Sequence, residues 1–149
     1  MITHYADYLK YIAVKYFGGT YKKTPEMRNL LQKLGTDIVR KREPNYWVDT
    51  VVNFVKVFGR DFDFIIIPDA RFPNEILRWK EENIDVASIH VQRINFENDL
   101  TPEQRSHTSE NALNDFKFDY YIKSESGVDC LKHEVIKTLL LEGGILCPN

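Results

Sequence analysis

The residues with the clearest chemical potential in this 149-residue chain are Asp69 and Arg71, set within Pro68-Asp69-Ala70-Arg71-Phe72-Pro73-Asn74-Glu75. A carboxylate can orient water around a metal ion, and a guanidinium can hold two phosphate oxygens at once in its planar fork. Both follow directly on Phe64-Ile65-Ile66-Ile67, the most strand-like run in the sequence. Charged groups at the carboxyl end of a buried parallel strand reach the crevice where α/β proteins bind their ligands. An ordinary structural alternative stands beside this reading: Asp69 caps the next turn and pairs with Arg71, since Asp and Pro are common turn residues. A second polar group, His107, Ser109 and Glu110, has the residue types of a hydrolytic triad. That chemistry needs a nucleophile on a strained turn and partners converging from separate elements. Here the three residues crowd one loop without a Gly-x-Ser-x-Gly turn, so the triad is rejected. His4, His90 and His133 share no metal-ligand spacing, and no metal site is expected from them.

The elements that must position these groups can be read from periodicity. Leu9, Ile12, Ala13, Val14 and Phe17 recur at helical spacing over Ala6 to Phe17, and Gly18-Gly19 ends the run. Pro25 suits the first turn of a second helix reaching Leu34, with Gly35 as its stop. Asn45 is placed to cap a third helix carrying Trp47, Val51, Phe54, Val55 and Phe58, closed by Gly59. Phe64 to Pro68 is short, rich in β-branched residues and apolar throughout, which predicts a strand buried on both faces of a parallel sheet. A polar helix over about Asn74 to Asn83 and a strand over Asp85 to Val91 come next. Residues 95 to 115 read as a loop with short helical turns, Asp119 to Lys123 as a third strand, and Val128 to Leu141 as a closing amphipathic helix. Strands alternating with helices predict an α/β fold with a doubly wound, mostly parallel sheet.

Composition narrows the function classes. Hydrophobic residues make up 43% and charged residues 28%, as in an ordinary globular domain. The formal net charge of −2 gives no basic excess for neutralising a nucleic-acid duplex, though local cations could serve a small phosphorylated ligand. The longest apolar runs fall far short of the roughly 20 residues that cross a bilayer, and Met1-Ile2-Thr3-His4-Tyr5, with no basic or apolar leader pattern, gives no expectation of a signal peptide. Two cysteines, Cys130 and Cys147, form no disulfide framework, and a cytoplasmic setting is expected.

The stretch from Pro68 to Glu75 resembles the Asp-x-Arg-Phe-Pro-Asn-Glu signature of phage and bacterial deoxynucleoside monophosphate kinases, a branch of the P-loop kinase fold. Other blocks match in the family's order. His4-Tyr5-Ala6-Asp7-Tyr8-Leu9-Lys10 is similar to its Phe-Ala-Asp-Pro-Leu-Lys segment, with Tyr8 in place of the proline. Leu30-Leu31-Gln32-Lys33-Leu34-Gly35-Thr36, through Arg40 to Trp47-Val48, is similar to its Leu-Gln-x-Leu-Gly-Thr region, and His107-Thr108-Ser109-Glu110 to its His-x-Ser-Glu motif. The resemblance implies a single three-layer domain over residues 1–149, with a helical acceptor-binding insertion at about 20–60 and a lid-like loop at about 94–115. It implies phosphoryl transfer from ATP, with magnesium, to a (deoxy)nucleoside monophosphate. Arg40, Arg71 and Arg93 become phosphate-contacting candidates, Arg71 and Arg93 with Asp69 being the catalytic set. Asp7 is a candidate for the sugar or base and Trp47 for stacking on the base. His107, Ser109 and Glu110 become a lid or ribose-contacting loop. Each has a plainer alternative: a surface arginine for Arg40 and Arg93, a helix cap for Asp7, a core side chain for Trp47.

Such a kinase also needs Gly-x-x-x-x-Gly-Lys-Ser/Thr, whose amides cradle the donor phosphates, and no such sequence is present. Gly18-Gly19-Thr20-Tyr21-Lys22-Lys23-Thr24 has the residue types in the wrong order and follows a helix. The expectation is therefore a chain that begins where the family's second strand ends, lacks the first strand and phosphate loop, and is inactive or impaired. A misplaced start or cropped sequence, a partner chain supplying the strand, or a degenerate relative would each explain this. Two apolar strands left without the strand between them would pair with each other or expose edges, which makes homo-oligomerisation a further expectation. A non-catalytic nucleotide-binding relative is the alternative function. A metal-dependent nuclease of the Pro-Asp-(Asp/Glu)-x-Lys type is less well supported, because Ser88-Ile89-His90-Val91-Gln92 offers neither carboxylate nor lysine on the next strand.

Overall fold

The computed structural model describes residues 1–95, 100–125 and 127–142. The chain divides into two compact units, one of Met1–Ile84 with Thr101–Asp115, the other of Asp85–Leu100 with Phe116–Asn149. Helices make up the first unit, and a small parallel sheet with a helix makes up the second, so the chain is mixed α/β. Residues 96–99 of the expected lid-like stretch lie outside the described residues.

In the first unit, α1 (Ala6–Phe17) ends at Gly18, which takes the left-handed conformation at φ 69° and returns its N–H to Ala13 O. Glycine adopts this conformation without Cβ strain, and Gly18-Gly19 is a helix stop as read. α2 (Pro25–Gln32) starts with Pro25 in its first turn and the Thr24 hydroxyl accepting the Met27 N–H at 3.2 Å. The helix does not stop at Gly35, however. It continues as a wider π-helical winding over Lys33–Arg40. Gly35 serves approach rather than termination: a Cβ there would lie 2.6 Å from Leu9 Cδ2. Ala13, Met27 and Leu34 form a buried cluster, covered by Leu9, Val14, Leu30, Leu31 and Ile38.

α3 (Tyr46–Phe58) buries Trp47, Val48, Val51, Val52 and Val55 at helical spacing. Asn45 stands at its N-terminus without capping it; the Asn45 Oδ1 instead accepts from Asn74 Nδ2 at 2.8 Å. The run from Phe64 differs from expectation. Phe64 and Ile66 are exposed while Ile65 and Ile67 are half-buried, so one face of the segment is covered instead of two. Its backbone partner is the segment Met1–Thr3: the Met1 nitrogen donates to Phe64 O at 2.7 Å, Ile66 N–H to Met1 O at 2.9 Å, and Thr3 N–H to Ile66 O at 3.1 Å. An all-apolar run records the capacity to be buried on both faces, but a second covering layer has to come from elsewhere in the chain. α4 (Pro73–Glu81) follows, shorter than expected because Asn83 turns left-handed at φ 55°. Residues 101–115 add two short helices, α5 (Pro102–Ser106) and α6 (Thr108–Asn111).

In the second unit, β1 (Ile89–Arg93) pairs in parallel with β2 (Tyr120–Ser124), Ile89 opposite Tyr120 and Arg93 opposite Ser124. Asp119 fixes the start of the ladder by accepting the Ser88 N–H at 2.8 Å and hydroxyl at 2.6 Å. α7 (Val128–Val135), continued by a π-helical winding over Ile136–Glu142, packs on β2, where Ile122 is fully buried. Within this unit the strand expected over Asp85 to Val91 is observed later in the chain, at Ile89–Arg93, paired with the strand expected over Asp119 to Lys123 and observed at Tyr120–Ser124.

Candidate functional site

The signature turn is built from main-chain donors inward. Asp69 caps no turn of its own and does not pair with Arg71. Its Oδ1 accepts the Tyr5 N–H at 2.9 Å and its Oδ2 the Ala6 N–H at 3.0 Å, so the carboxylate caps the start of α1. Glu75, 3% exposed, closes the turn: its Oε2 accepts the Arg71 N–H at 2.5 Å and the Phe72 N–H at 3.0 Å. Burial pushes its carboxyl above the usual carboxylate range, against the pull of those amides and of Arg40. Beneath it, the buried Tyr5 hydroxyl donates to Glu75 O at 2.5 Å and accepts from Trp79 Nε1 at 2.7 Å. Burial raises the Tyr5 phenol well above its ordinary value, which keeps it neutral.

Arg40 is no surface arginine. Its guanidinium, in a side chain 12% exposed, donates to Glu75 Oε1 at 2.6 Å and to Asn74 Oδ1 and Pro44 O at 3.2 Å each. It also lies 3.9 Å from the centroid of the Phe72 ring. Asn74 completes the anchor by donating to Pro44 O at 3.0 Å.

Arg71 points away from its own motif. Its Nη1 donates to Glu110 Oε1, 39 residues further along the chain, and to Ser109 O at 3.4 Å. His107 lies in the same cluster: its Nδ1 is 2.9 Å from Ser109 Oγ and accepts the Ser109 N–H at 3.2 Å, and its Nε2 is 3.9 Å from Asp37 Oδ1. With two donors at Nδ1, the ring proton belongs on Nε2. Gln104 Nε2 donates to Asn29 Oδ1 at 3.0 Å, which ties α5 to α2. The structure therefore brings Arg71, His107, Ser109 and Glu110 together, with Arg28 and Asp37 beside them. Sequence reading did not single out Arg28 or Asp37; Glu110 and His107 lie far along the chain from them, and the local pair of Asp37 with Lys41 is an ordinary helix-surface spacing.

Asp7 is exposed and pairs with His4 at 3.2 Å and Lys10 at 3.6 Å. Trp47 is 3% exposed and donates from Nε1 to Gly35 O at 3.0 Å. With Tyr46 it forms part of the wall of a cleft of about 350 Å³ lined by Leu9, Ile38 and Val39, with Arg42 and Glu43 among the polar lining. Arg93 ends β1 and belongs to the second unit. Among the described residues no three His, Cys, Asp or Glu side chains are grouped to hold a metal ion, and no helix is long and apolar enough to cross a membrane.

The profile of the family described as deoxynucleotide monophosphate kinase matches residues 3–135, and the chain belongs to that family. Its similarity extends to a particular protein, the deoxynucleotide monophosphate kinase of Escherichia phage RB69, which is 28% identical over 137 residues. The match takes in 91% of this chain and 53% of the phage protein, so the chain spans about half the length of that relative.

Proposed function

We propose that this chain forms the acceptor side of a deoxynucleoside monophosphate kinase, holding a (deoxy)nucleoside monophosphate for phosphoryl transfer from ATP. The observation that carries the reading is the convergence of two family motifs, 39 residues apart, on the half-exposed Arg71 guanidinium. In phosphoryl transfer the charge gathers on the equatorial oxygens, so the protein works by positioning and by cationic stabilisation. Arg71 meets the acceptor phosphate, and Arg93, on the second unit, is proposed separately as a phosphate-contacting arginine. Arg40 acts through the turn it braces. Asp7 is the sugar- or base-contacting carboxylate, and the cleft walled by Trp47 and Tyr46 receives the base, Tyr46 being the more exposed ring. His107, Ser109 and Glu110 belong to the lid-like stretch 94–115, and residues 20–60 to the acceptor-binding insertion. The architecture proposed around them is the P-loop kinase sandwich, in a cytoplasmic setting and self-associating.

ATP and magnesium supply the phosphoryl group and its charge neutralisation in such an enzyme. The residues present do not fit that donor side. Both oxygens of Asp69 accept amides of α1, and the loop after α1 is a helix stop instead of a phosphate cradle. The engagement of both Asp69 oxygens by main-chain amides is the observation that favours a second reading, a non-catalytic nucleotide-binding relative.

Calorimetric titration with each deoxynucleoside monophosphate, then with ATP and magnesium, tests these readings together with an assay of γ-phosphate transfer. Binding of a monophosphate is the expected result. Uptake of the monophosphate with neither ATP binding nor transfer selects the second reading, and a folded chain that binds no mononucleotide overturns both.

A further inference from the structure

Residues 101–115 are held to the rest of their unit without a fully buried apolar side chain. The buried residues of this segment are Gln104 and Ser109, 6% and 8% exposed, and both are polar. The segment is tied by Gln104 to Asn29, by Glu110 to Arg71 and Arg28, and by His107, which stands between Ser109 and Asp37. A segment fastened in this way opens locally at less cost than one packed into a core, and its ties respond to protonation.

Histidine is the side chain whose charge ordinarily changes between about pH 5 and 8. The His107 Nδ1 accepts the Ser109 N–H at 3.2 Å, which caps α6, and lies 2.9 Å from the Ser109 hydroxyl. An amide only donates, so it needs the Nδ1 lone pair that the neutral ring offers when its proton is on Nε2. A second proton goes to Nδ1 and sets N–H against N–H. The hydroxyl can turn to accept from it, but the amide loses its acceptor in a place where water has little access.

The opposing effect is attraction of the protonated ring to Asp37, 3.9 Å from Nε2. Asp37 is 47% exposed and is shared with Lys41 at 3.8 Å, so solvent and a second cation weaken that attraction. The remaining charges around the ring are Arg28, Arg71 and Glu110, with Glu103 and Arg105 on α5. Together with Asp37 and Lys41 they leave one more cation than anion beside the imidazole, which gives a further proton no net attraction. Loss of the buried cap therefore outweighs the gain at Asp37.

We propose that His107 is a pH-sensitive clasp. Neutral, it caps α6 and keeps residues 101–115 docked; protonated, it releases α6 together with the Ser109 carbonyl and Glu110 carboxylate that hold Arg71. The attachment is fully present above the histidine range and is lost as pH falls through it. The inference rests on contacts within the first unit and does not depend on the nucleotide reading.

The test follows amide hydrogen exchange of the full chain by nuclear magnetic resonance, each rate divided by the intrinsic rate at the same pH. Wild type is compared with His107→Asn, whose carboxamide oxygen can cap α6 but does not titrate, and with the control His4→Gln. Between about pH 8 and about pH 5, protection at Ser109 and Ala112 is expected to fall about fivefold or more in wild type and in His4→Gln. It should stay constant in His107→Asn, and protection at the buried Val51 and Val52 of α3 should stay constant throughout. Should His107→Asn not fold, the wild type decides: the midpoint of the loss at Ser109 must coincide with titration of the His107 ring followed by its carbon-bound protons, and a different midpoint overturns the clasp. Constant protection in wild type overturns it, and so does protection that rises in acid, because the pair with Asp37 would then dominate. An equal loss in His107→Asn assigns the effect to another group, and a parallel loss at Val51 and Val52 makes it global unfolding; either result also overturns the proposal.

Discussion

Replacing Arg40 by Met tests whether the signature turn is held by its buried ion pair. The substitution roughly preserves side-chain volume and leaves the Glu75 carboxylate, 3% exposed, with the Arg71 and Phe72 amides but no counter-charge. It also removes the donors to Asn74 Oδ1 and Pro44 O and the cation over the Phe72 ring. Breaking a buried pair from one side costs about 3–5 kcal/mol, a large part of the stability of a small domain. Glu75→Gln should cost a similar amount. A carboxamide has one acceptor oxygen, whereas Glu75 accepts from Arg40 on one side and from two amides on the other, so its NH₂ must face a donor whichever way it turns. The two losses share one interaction, so the double variant should fall short of their sum by about 2–3 kcal/mol. Urea denaturation followed by the fluorescence of Trp47 and Trp79, both buried, measures all three variants. A cost below about 1 kcal/mol for Arg40→Met, or strict additivity in the cycle, would refute the assignment of Arg40 as a brace.

Three further outcomes follow from the same contacts. Because the folded-state carboxyl of Glu75 titrates above its unfolded value, its contribution to stability is fully present below the unfolded value and is lost as pH rises through the folded one. Denaturation midpoints should therefore show a component falling with pH just above the ordinary carboxylate range, steeper in Arg40→Met and absent in Glu75→Gln. Tyr5→Phe removes the hydroxyl between Trp79 Nε1 and Glu75 O and should cost about 1–3 kcal/mol, measured by the same denaturation. Asp69→Ala uncaps α1 and should cost about 0.5–2 kcal/mol, with faster hydrogen exchange at the Tyr5 and Ala6 amides; unchanged exchange there would refute the cap.

What could be read from the sequence was what local chemistry decides. Gly18 and Pro25 with Thr24 mark helix ends by their own conformational preferences, and α1 has the bounds its period implies; in α3 the bounds were legible but the face only in part, since Phe54 and Phe58 are exposed and Val48 and Val52 are buried in their place. Gly35 was misread because its neighbour lies on another helix: a Cβ there would meet the tip of the Leu9 side chain and make it shift, and nothing near Gly35 in the sequence records that. Phe64 to Ile67 was misread for a related reason, since a run of apolar residues cannot say how many layers will cover it. The site divides in the same way. The carboxylate and guanidinium of the signature stand out in the sequence. The partners of Asp69, however, are main-chain amides at Tyr5 and Ala6, and a backbone N–H carries no residue identity for a motif to display.

The signature from Asp69 to Glu75 is therefore a folding device before it is a chemical one. Asp69 joins the turn to the start of α1, and Phe72 and Asn74 receive Arg40. Pro73 opens α4, and Glu75 accepts the amides of the turn it ends. Arg71 is the charged side chain of this stretch that reaches outward to residues 101–115, while its own N–H is held by Glu75. A guanidinium on a long, flexible stem is a poor recognition group unless its root is fixed, because ordering it on binding costs side-chain entropy. The surrounding residues fix that root. The motif is thus best understood as five residues of scaffold around one cation, and substitutions in the scaffold should affect ligand affinity chiefly through the stability and stiffness of the turn.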